Sequence, residues 1–324
     1  MSDNIKNVTT IGNAIVDVIS KCDDGFLNSH SIVKSAMNLI DESKSQSLYQ
    51  SLQSPQVISG GSAANTAVGL ASFGSKAAFI GKVRNDELGK KFLSNIVEAG
   101  VQFTTPPSAE GPRTASSIIL VTPDAERSMN TYLGACVELD PDDIDENIIK
   151  NSQITYLEGY LYDPPKAKEA FVKAAKIAKK SNNKVSMSLS DSFCVERYRS
   201  EFLSFVKNHV DILFANEDEA KSLFETDLAE AKNQFLNLGI EVALTLGNKG
   251  SAILRDGSWI DIEPRKVQSV EDTTGAGDLF AAGYLYGRTT GGDARQCGYI
   301  GSVAASEIIS HIGARPEVSL KTLI

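Results

Sequence analysis

The sequence lacks the features that define disulfide-rich, zinc-binding and membrane proteins. Its 4 cysteines (Cys22, Cys136, Cys194, Cys297) are scattered, with neither the CxxC spacing of a zinc site nor a disulfide framework. No apolar run reaches the roughly 18 residues that a membrane span needs, and no secretory signal is recognisable. We therefore expect a soluble, cytoplasmic protein with reduced thiols and no membrane partner.

Positive charge is also scarce. The chain of 324 residues has 32 Lys and Arg against 41 Asp and Glu, a net charge of -9 at pH 7. Because an acidic protein repels a polyanion, the charge disfavours nucleic acid as a partner. A small molecule is the partner that we expect instead.

The most informative segment is residues 271–283, which read EDTTGAGDLFAAG. Gly275, Ala276 and Gly277 lead into an apolar run that predicts a helix. The first N–H groups of a helix have no partner inside it and carry partial positive charge, so this start is a candidate anion site. Asp278 could take a proton from a hydroxyl that attacks a phosphoryl group. The structural alternative is a glycine-rich turn in which Asp278 only complements the helix dipole.

A second glycine motif occupies residues 60–74, which read GGSAANTAVGLASFG. Gly60 and Gly61 allow the backbone to approach a ligand, and the small apolar residues that follow predict a helix packed on a sheet. Asn65 is the polar exception and can donate and accept hydrogen bonds. The alternative is a helix start with close helix–strand packing. Neither motif has the form GxxxxGK[ST] or GxGxxG.

Strand-like runs and helical patterns alternate along most of the chain. The predicted strands are 8–11, 77–83, 154–158, 184–189, 211–215 and 242–246. The predicted helices lie near 62–74, 86–99, 166–181, 195–208, 217–224, 229–238, 276–288 and 293–311. This alternation predicts an α/β fold with a mostly parallel central sheet flanked by helices.

Two segments interrupt the alternation, at about 14–42 and 102–136. Both are rich in short β-type runs without long helices between them, which predicts a small sheet that stands off the main one. The chain contains no internal repeat, low-complexity tract or interdomain linker. Residues 1–324 are therefore predicted to form a single domain.

The two glycine motifs together resemble the two signatures of the ribokinase (PfkB) family of carbohydrate and nucleoside kinases. Four shorter matches occur in family order: VTTIGNAIVDV with Asn13 and Asp17, an N-x-x-E element at Asn216 and Glu219, TLGNKG at 245–250, and GARP at 313–316. The resemblance covers nearly the whole chain. It implies a ribokinase-like fold in which the small sheet is a lid over the substrate, and an activity that transfers phosphate from ATP to a hydroxyl group.

The resemblance implies catalytic roles for the glycine motif at residues 271–283. Asp278 is the expected general base, and the backbone N–H groups of Gly275, Ala276, Gly277 and Asp278 are the expected anion hole. Arg127 follows a predicted turn and begins a lid strand, from which it could reach phosphate oxygens when the lid closes. The alternative for Arg127 is a solvated arginine paired with Glu126.

The resemblance also implies the cofactors. ATP is expected at the turn that contains Thr245, Gly247 and Gly250. Mg²⁺ should keep most of its waters, and Asn216 and Glu219 would organise the hydrated ion. The alternative for this pair is a helix cap, since Glu219 stands three residues after Asn216. Relatives bind a monovalent cation at positions that correspond to Asp272 and Thr274, and K⁺ is the candidate here.

The acceptor site is expected to bind vicinal hydroxyls. Asp17 and Asn65, with Asn13 and the Gly60–Gly61 backbone, suit a ribose or another furanose. A nucleobase needs flat apolar walls as well, and the candidates for these are Met37, Leu39, Leu133 and Phe193. The alternative for Phe193 is a core aromatic.

Three functions follow from these residues. DAERSMNTYLGA, YLEGYLYDPP and SLSDSFCVERYR resemble bacterial adenosine-kinase-like members, which favours phosphorylation of adenosine to AMP in purine salvage. Thr274 departs from the Asn of animal adenosine kinases, so a sugar kinase for ribose, fructose or a related furanose stays open. The third is a non-catalytic nucleotide or sugar sensor, which the intact GAGD disfavours. A monomer or a homodimer is expected.

Overall fold

The computed structural model describes residues 6–124 and 126–324, so Ala125 of the predicted turn before Arg127 lies outside the described residues. The strands are β1 (Lys6–Ile11), β2 (Ile15–Lys21), β3 (Met37–Leu39), β4 (Gln56–Gly60), β5 (Ala77–Ile80), β6 (Gln102–Phe103), β7 (Ala115–Val121), β8 (Arg127–Tyr132), β9 (Ser152–Glu158), β10 (Lys184–Ser188), β11 (Ile212–Asn216), β12 (Glu241–Thr245), β13 (Ser251–Arg255) and β14 (Ser258–Ile262). The α-helices are α1 (Asp24–Ser29), α2 (Glu42–Ser51), α3 (Ser62–Ser72), α4 (Glu87–Glu98), α5 (Glu146–Lys150), α6 (Pro165–Lys180), α7 (Ser192–His209), α8 (Glu217–Phe224), α9 (Leu228–Leu238), α10 (Ala276–Thr289) and α11 (Ala294–Ile308).

The larger sheet has nine strands in the order β14-β13-β12-β11-β10-β9-β1-β5-β6. Among the described residues, its strands are parallel from β12 to β6, and the β12–β13 and β13–β14 pairs are antiparallel. The mostly parallel sheet is therefore confirmed. The antiparallel edge was not predicted, although Asp256 and Gly257 form its turn with φ of 52° and 74° and Asp-Gly is a strong hairpin signal.

Helices cover both faces of the larger sheet. In β9, Tyr156 belongs to the core cluster beneath α3, α10 and α11, whereas Leu157 belongs to the cluster beneath α6, α7, α8 and α9. Successive strand residues point to opposite faces, so the buried strands read as continuous apolar runs. All the predicted strands and helices are present. The clearest shift is that α7 begins at Ser192, because the Asp191 carboxylate caps it by accepting from the N–H of Phe193.

The smaller sheet has five strands in the order β3-β8-β7-β2-β4. It draws on both expected segments, but β4 (Gln56–Gly60) also belongs to it and β6 pairs with the larger sheet. In β2, Val16 and Val18 are fully buried against the core while Asp17 between them lies on the opposite face. Within the described residues, no helix is long and apolar enough to cross a membrane.

Candidate active site

Several of the predicted site residues lie at one edge of the larger sheet. Asn13 follows β1, Asn216 ends β11 and Thr245 ends β12, and these parallel strands place their carboxyl ends at the same edge. Ligands of open α/β sheets bind at this edge. The first turn of α3 lies there too, since the Ala63 N–H donates to Glu158 at the end of β9, and the Ser62 hydroxyl joins it to Asp278 in the first turn of α10.

Asp278 lies in the first turn of α10 and is held by α3. Its two carboxylate oxygens accept from the Ser62 hydroxyl at 2.6 Å and from the Asn65 side-chain N–H at 2.9 Å. Burial raises the pKa of Asp278, while these two hydrogen bonds and the charge of Arg315 lower it. The net shift is upward, which makes the carboxylate a better proton acceptor near neutral pH.

The start of α10 has the form of an anion site. Gly275 has φ of 79°, and a side chain there would collide with Ala314, so only glycine fits easily. No side chain among the described residues caps this helix start. The Ala276 N–H donates to the Thr273 carbonyl at 3.2 Å, so of the expected donors this one is already engaged within the turn.

Asn65 was expected at the substrate hydroxyls, and its side chain is instead directed at the Asp278 carboxylate. Its side-chain oxygen is buried without a partner among the described residues. Its role in binding substrate remains a prediction. Ser62, the second residue that holds Asp278, was not predicted, although it directly follows the glycine pair.

Asp17 lies beside the glycine pair that joins the lid to the core. A side chain at Gly60 would overlap the Asp17 carboxylate, and one at Gly61, where φ is 95°, would overlap the Asn13 carbonyl. Burial raises the pKa of Asp17 to about 7, against the lowering effect of Arg315. Arg315 was not singled out from the sequence, although it stands in the GARP segment.

Glu158 is the buried carboxylate that sequence reasoning missed. It ends β9 and accepts from the Asn13 side-chain N–H at 2.7 Å, the Asn13 backbone N–H at 3.3 Å and the Ala63 N–H at 2.8 Å. Burial raises its pKa to about 7. Asn13, expected at the substrate, is thus held beneath the start of α3, with its side-chain oxygen buried and without a partner among the described residues.

Arg127 at the start of β8 bonds to the loop before α10. Its guanidinium is 2.6 Å from the Asp272 carboxylate and donates to the Thr274 hydroxyl at 3.3 Å. Glu126 instead accepts from the Ser35 hydroxyl. The alternative of a solvated pair between Arg127 and Glu126 is therefore wrong, because Arg127 is largely buried against a different carboxylate. Its contact with phosphate remains a prediction.

The side chains of Asp272 and Thr274 do not fit a bound monovalent cation. One Asp272 oxygen accepts from the Thr274 N–H and hydroxyl, at 3.0 and 2.7 Å. The other accepts from the Gly313 N–H at 2.9 Å and from Arg127. The guanidinium already supplies the positive charge there, and a second cation in contact with these side chains would be repelled.

The Asn216–Glu219 pair forms a reciprocal helix cap. The Asn216 side-chain oxygen accepts from the Glu219 N–H at 2.8 Å, and the Glu219 carboxylate accepts from the Asn216 backbone and side-chain N–H groups at 2.9 and 2.7 Å. Burial raises the pKa of Glu219 to about 7. The described residues contain no cluster of three or more Asp, Glu, His or Cys ligands. The helix-cap alternative is therefore confirmed, and a role of the pair at a hydrated Mg²⁺ remains a prediction.

The expected nucleotide turn is a tight loop between β12 and β13. The Leu246 N–H donates to the Gly250 carbonyl at 2.8 Å, and Gly247 and Gly250 have φ of 59° and 89°. The Thr245 hydroxyl donates to the Ala215 carbonyl at 3.4 Å. ATP contact at these three residues remains a prediction.

The candidate base walls are exposed apolar side chains. Met37, Leu39 and Phe193 are 61%, 62% and 72% exposed, and Leu133 is half-buried. The core alternative for Phe193 is therefore wrong. Strand register places Leu39 in one cross-sheet row with Thr131, Ser117 and Asp17, so Leu39 lies on the Asp17 face of the lid.

Tyr160 is a further aromatic that the sequence reasoning missed. It is 41% exposed in the turn after β9. Burial of its hydroxyl and the negative charges of Asp191, Asp278 and Glu219 raise its pKa. Because it directly follows β9, which is parallel to β1 and β10, Tyr160 lies at the same edge of the larger sheet as the other candidate site residues.

Fold and site together define a phosphotransferase with an alcohol group as acceptor. The model of the pfkB family of carbohydrate kinases matches residues 30–321. The chain therefore belongs to the pfkB family, and the ribokinase-like fold with a lid sheet is confirmed.

Three relatives show the range of the family around this chain. A probable sugar kinase from Rhizobium etli is 48% identical with a TM-score of 0.90, over 98% of this chain and 97% of the other. Adenosine kinase from Sinorhizobium meliloti is also 48% identical, with a TM-score of 0.89 over 98% of both chains. A 5-dehydro-2-deoxygluconokinase from Clostridium perfringens is 30% identical over 264 residues, 78% of each chain. The chain is thus equally similar to a nucleoside kinase and to a sugar kinase.

Proposed function

We propose that the chain phosphorylates adenosine to AMP with ATP and Mg²⁺. The observation that carries this proposal is the exposed side chain of Phe193, accompanied by Met37 and Leu39 on the lid. Burying apolar surface stabilises a bound nucleobase, whereas a free sugar gains little from such walls. The likeness to the Sinorhizobium meliloti adenosine kinase supports the same acceptor.

The reaction is assigned to the residues by their positions. Asp17 anchors the ribose hydroxyls, and Asp278 accepts the proton of the hydroxyl that attacks. The N–H groups of Gly275, Gly277 and Asp278 at the start of α10 stabilise the transferred phosphoryl group, since the Ala276 N–H is already engaged with Thr273. Mg²⁺, when bound near Asn216 and Glu219, neutralises phosphate charge. Arg127 adds a second positive charge from the lid.

A sugar kinase is the second candidate, and a specific observation favours it. The Rhizobium etli probable sugar kinase is as similar to this chain as the adenosine kinase is. Asp17 and the glycine pair serve the hydroxyls of any furanose equally well. The exposed apolar side chains are what separate the two candidates.

One panel of assays tests the acceptor. Purified protein with Mg-ATP is given adenosine, inosine, ribose, fructose and 2-keto-3-deoxygluconate, and ADP release and the phosphorylated product are measured. Adenosine should have the highest kcat/KM by at least about tenfold. Turnover of a free sugar at a higher kcat/KM than adenosine would refute the nucleoside proposal. Asp278→Asn in the same panel controls for contaminating kinases.

A further inference from the structure

Arg315 connects the C-terminal segment to both ends of the lid hinge. Gly60 and Gly61 join lid strand β4 to core helix α3. On the lid side, Arg315 donates from Nε to the Ser59 carbonyl and from a terminal nitrogen to the Ser59 hydroxyl, each at 3.0 Å. On the core side, its other terminal nitrogen donates to the Ala64 carbonyl at 3.0 Å. One guanidinium therefore binds the chain before and after the glycine pair.

The contact has a mechanical consequence for Asp278. A pair of glycines is the most flexible connection a chain can make, so the direction in which α3 leaves the lid needs an external constraint. A planar guanidinium can bond several acceptors at fixed angles, which a lysine ammonium cannot do in the same way. Helix α3 carries Ser62 and Asn65, the two side chains that hold the Asp278 carboxylate.

The charge of Arg315 acts on the same site. Burial lowers the pKa of Arg315 to about 10, so it stays protonated at neutral pH. Its positive charge opposes the effect of burial on the pKa of both Asp17 and Asp278. Arg315 is the charged group that shifts the pKa of Asp278, and the charge of Asp278 in turn raises the pKa of the groups that face it: Asp17, Tyr156, Glu158 and Tyr160.

We propose that Arg315 is a positioning residue, which clamps the Gly60–Gly61 hinge and thereby aims Asp278 at the acceptor hydroxyl. The inference rests on the proposed role of Asp278 as the general base. It does not depend on whether the acceptor is a nucleoside or a sugar, because the hinge and Asp278 serve either.

Two substitutions separate the clamp from the charge. Arg315→Lys keeps the positive charge but loses the forked donors, and Arg315→Met removes both. Arg295→Met, at an exposed arginine on α11, is the matched control. Far-UV circular dichroism and thermal unfolding establish which variants are folded. Rates are measured across pH 5–9 with whichever acceptor the wild-type enzyme uses, beside Asp278→Asn.

We expect Arg315→Lys to lower kcat by about tenfold and Arg315→Met by about 10²-fold, since small displacements of a catalytic group cost this much. Removing the positive charge raises the pKa of Asp278, so the acid limb of kcat/KM should move to higher pH in Arg315→Met and stay in place in Arg315→Lys. A purely structural arginine would not move this limb selectively. Amide exchange at residues 59–64 should increase in both variants.

Wild-type kcat in Arg315→Lys, or equal acid limbs in the Lys and Met variants, would overturn the proposal. If Arg315→Met does not fold, Arg315→Lys alone tests the proposal. A lowered kcat, with the acid limb of the kcat/KM profile at the wild-type pH, would then support it. If instead Asp278 is not the general base, Asp278→Asn would keep its turnover, which distinguishes that failure from a failure of the Arg315 proposal. Failure of the adenosine proposal changes only which acceptor is used in the assay.

Discussion

Arg127 of the lid and Asp272 of the loop before α10 form an ion pair of 2.6 Å, with side chains only 16% and 6% exposed. The pair joins the start of β8 to the segment that leads into the anion site. One terminal nitrogen of Arg127 is buried without a hydrogen-bond partner among the described residues. A buried donor without a partner is costly, and an anionic oxygen at the site would satisfy it.

The first prediction concerns this donor. Arg127→Ala should lower kcat/KM by about 10–10²-fold, the equivalent of one charge-assisted contact of about 1.5–3 kcal/mol. Initial rates with Mg-ATP measure the loss, and Arg295→Ala serves as the control at an exposed arginine. Arg127→Lys should recover part of the rate, since it keeps the charge. An unchanged kcat/KM in a folded Arg127→Ala would show that Arg127 only holds the lid to Asp272.

The second prediction concerns Asp278. Asp278→Asn keeps the shape of the side chain and the possibility of bonding Ser62, but it removes the proton acceptor. Substrate binding, measured by calorimetry, should be nearly intact while kcat falls by about 10³-fold or more. The loss then lies in the transition state. Retention of a tenth of the wild-type kcat would leave anion binding as the only role of this motif.

The third prediction is a pH dependence of stability that comes from Glu158. Its folded-state pKa of about 7 is above the ordinary value of 4.5. A raised folded-state pKa means that the native state holds the proton more tightly than the unfolded state. Protonation of Glu158 therefore contributes fully to the free energy of unfolding below about pH 4.5, and this contribution is lost as the pH rises through about 7. The free energy of unfolding should therefore fall over this window. The pKa values of Asp17 and Glu219 are also raised, so these two groups contribute to the pH dependence with the same sign.

Glu158→Gln tests this contribution. If the Asn13 amide turns over, its side-chain oxygen, which has no partner among the described residues, can accept from the new N–H donor, so the variant should fold. Denaturant unfolding between pH 5 and 8 should show a flatter profile than that of the wild type. A profile that keeps the full wild-type slope would assign the dependence to Asp17 and Glu219 instead.

The fourth prediction concerns the lid. Segments 14–42 and 102–136, apart from β6, should exchange amide hydrogens faster than the larger sheet and become protected when acceptor binds, because closure excludes water from the reaction. Strand β4 should follow them, since it belongs to the same sheet. Hydrogen exchange with and without acceptor, resolved by peptide, is the measurement. Unchanged protection in both segments would contradict a closing lid.

Elements that carry a local signal could be predicted from the sequence. A pattern in consecutive residues marks the helix start at GAGD, the small-residue face of α3 and the alternating strands. The structure contains all of these elements. Arg315 and Glu158 carry no such pattern. Each acts through partners on distant elements, Ser59 and Ala64 for one and Asn13 and Ala63 for the other. Only the folded topology brings these groups together.

A similar limit explains the residues that were given another role. Nothing local to Asn65 indicates that it bonds Asp278, because the contact joins two helices more than two hundred residues apart. For Arg127, adjacency in the sequence suggested only the alternative role, a pair with Glu126. The lid register instead presents it to Asp272, and Glu126 is bonded to Ser35.

The last prediction separates base recognition from sugar recognition. If adenosine is the acceptor, Phe193→Ala should weaken its binding by about 1–3 kcal/mol, a roughly 5- to 150-fold higher KM, because a flat base loses its apolar wall. Ribose or fructose, if used, should barely respond. Asp17→Ala should damage every acceptor, since it removes the hydroxyl anchor that all of them share. Steady-state kinetics with adenosine and fructose measure both effects. Two results together would refute the nucleoside kinase and favour a sugar kinase. Phe193→Ala would leave the adenosine kinetics unaltered, and Asp17→Ala would abolish the turnover of fructose.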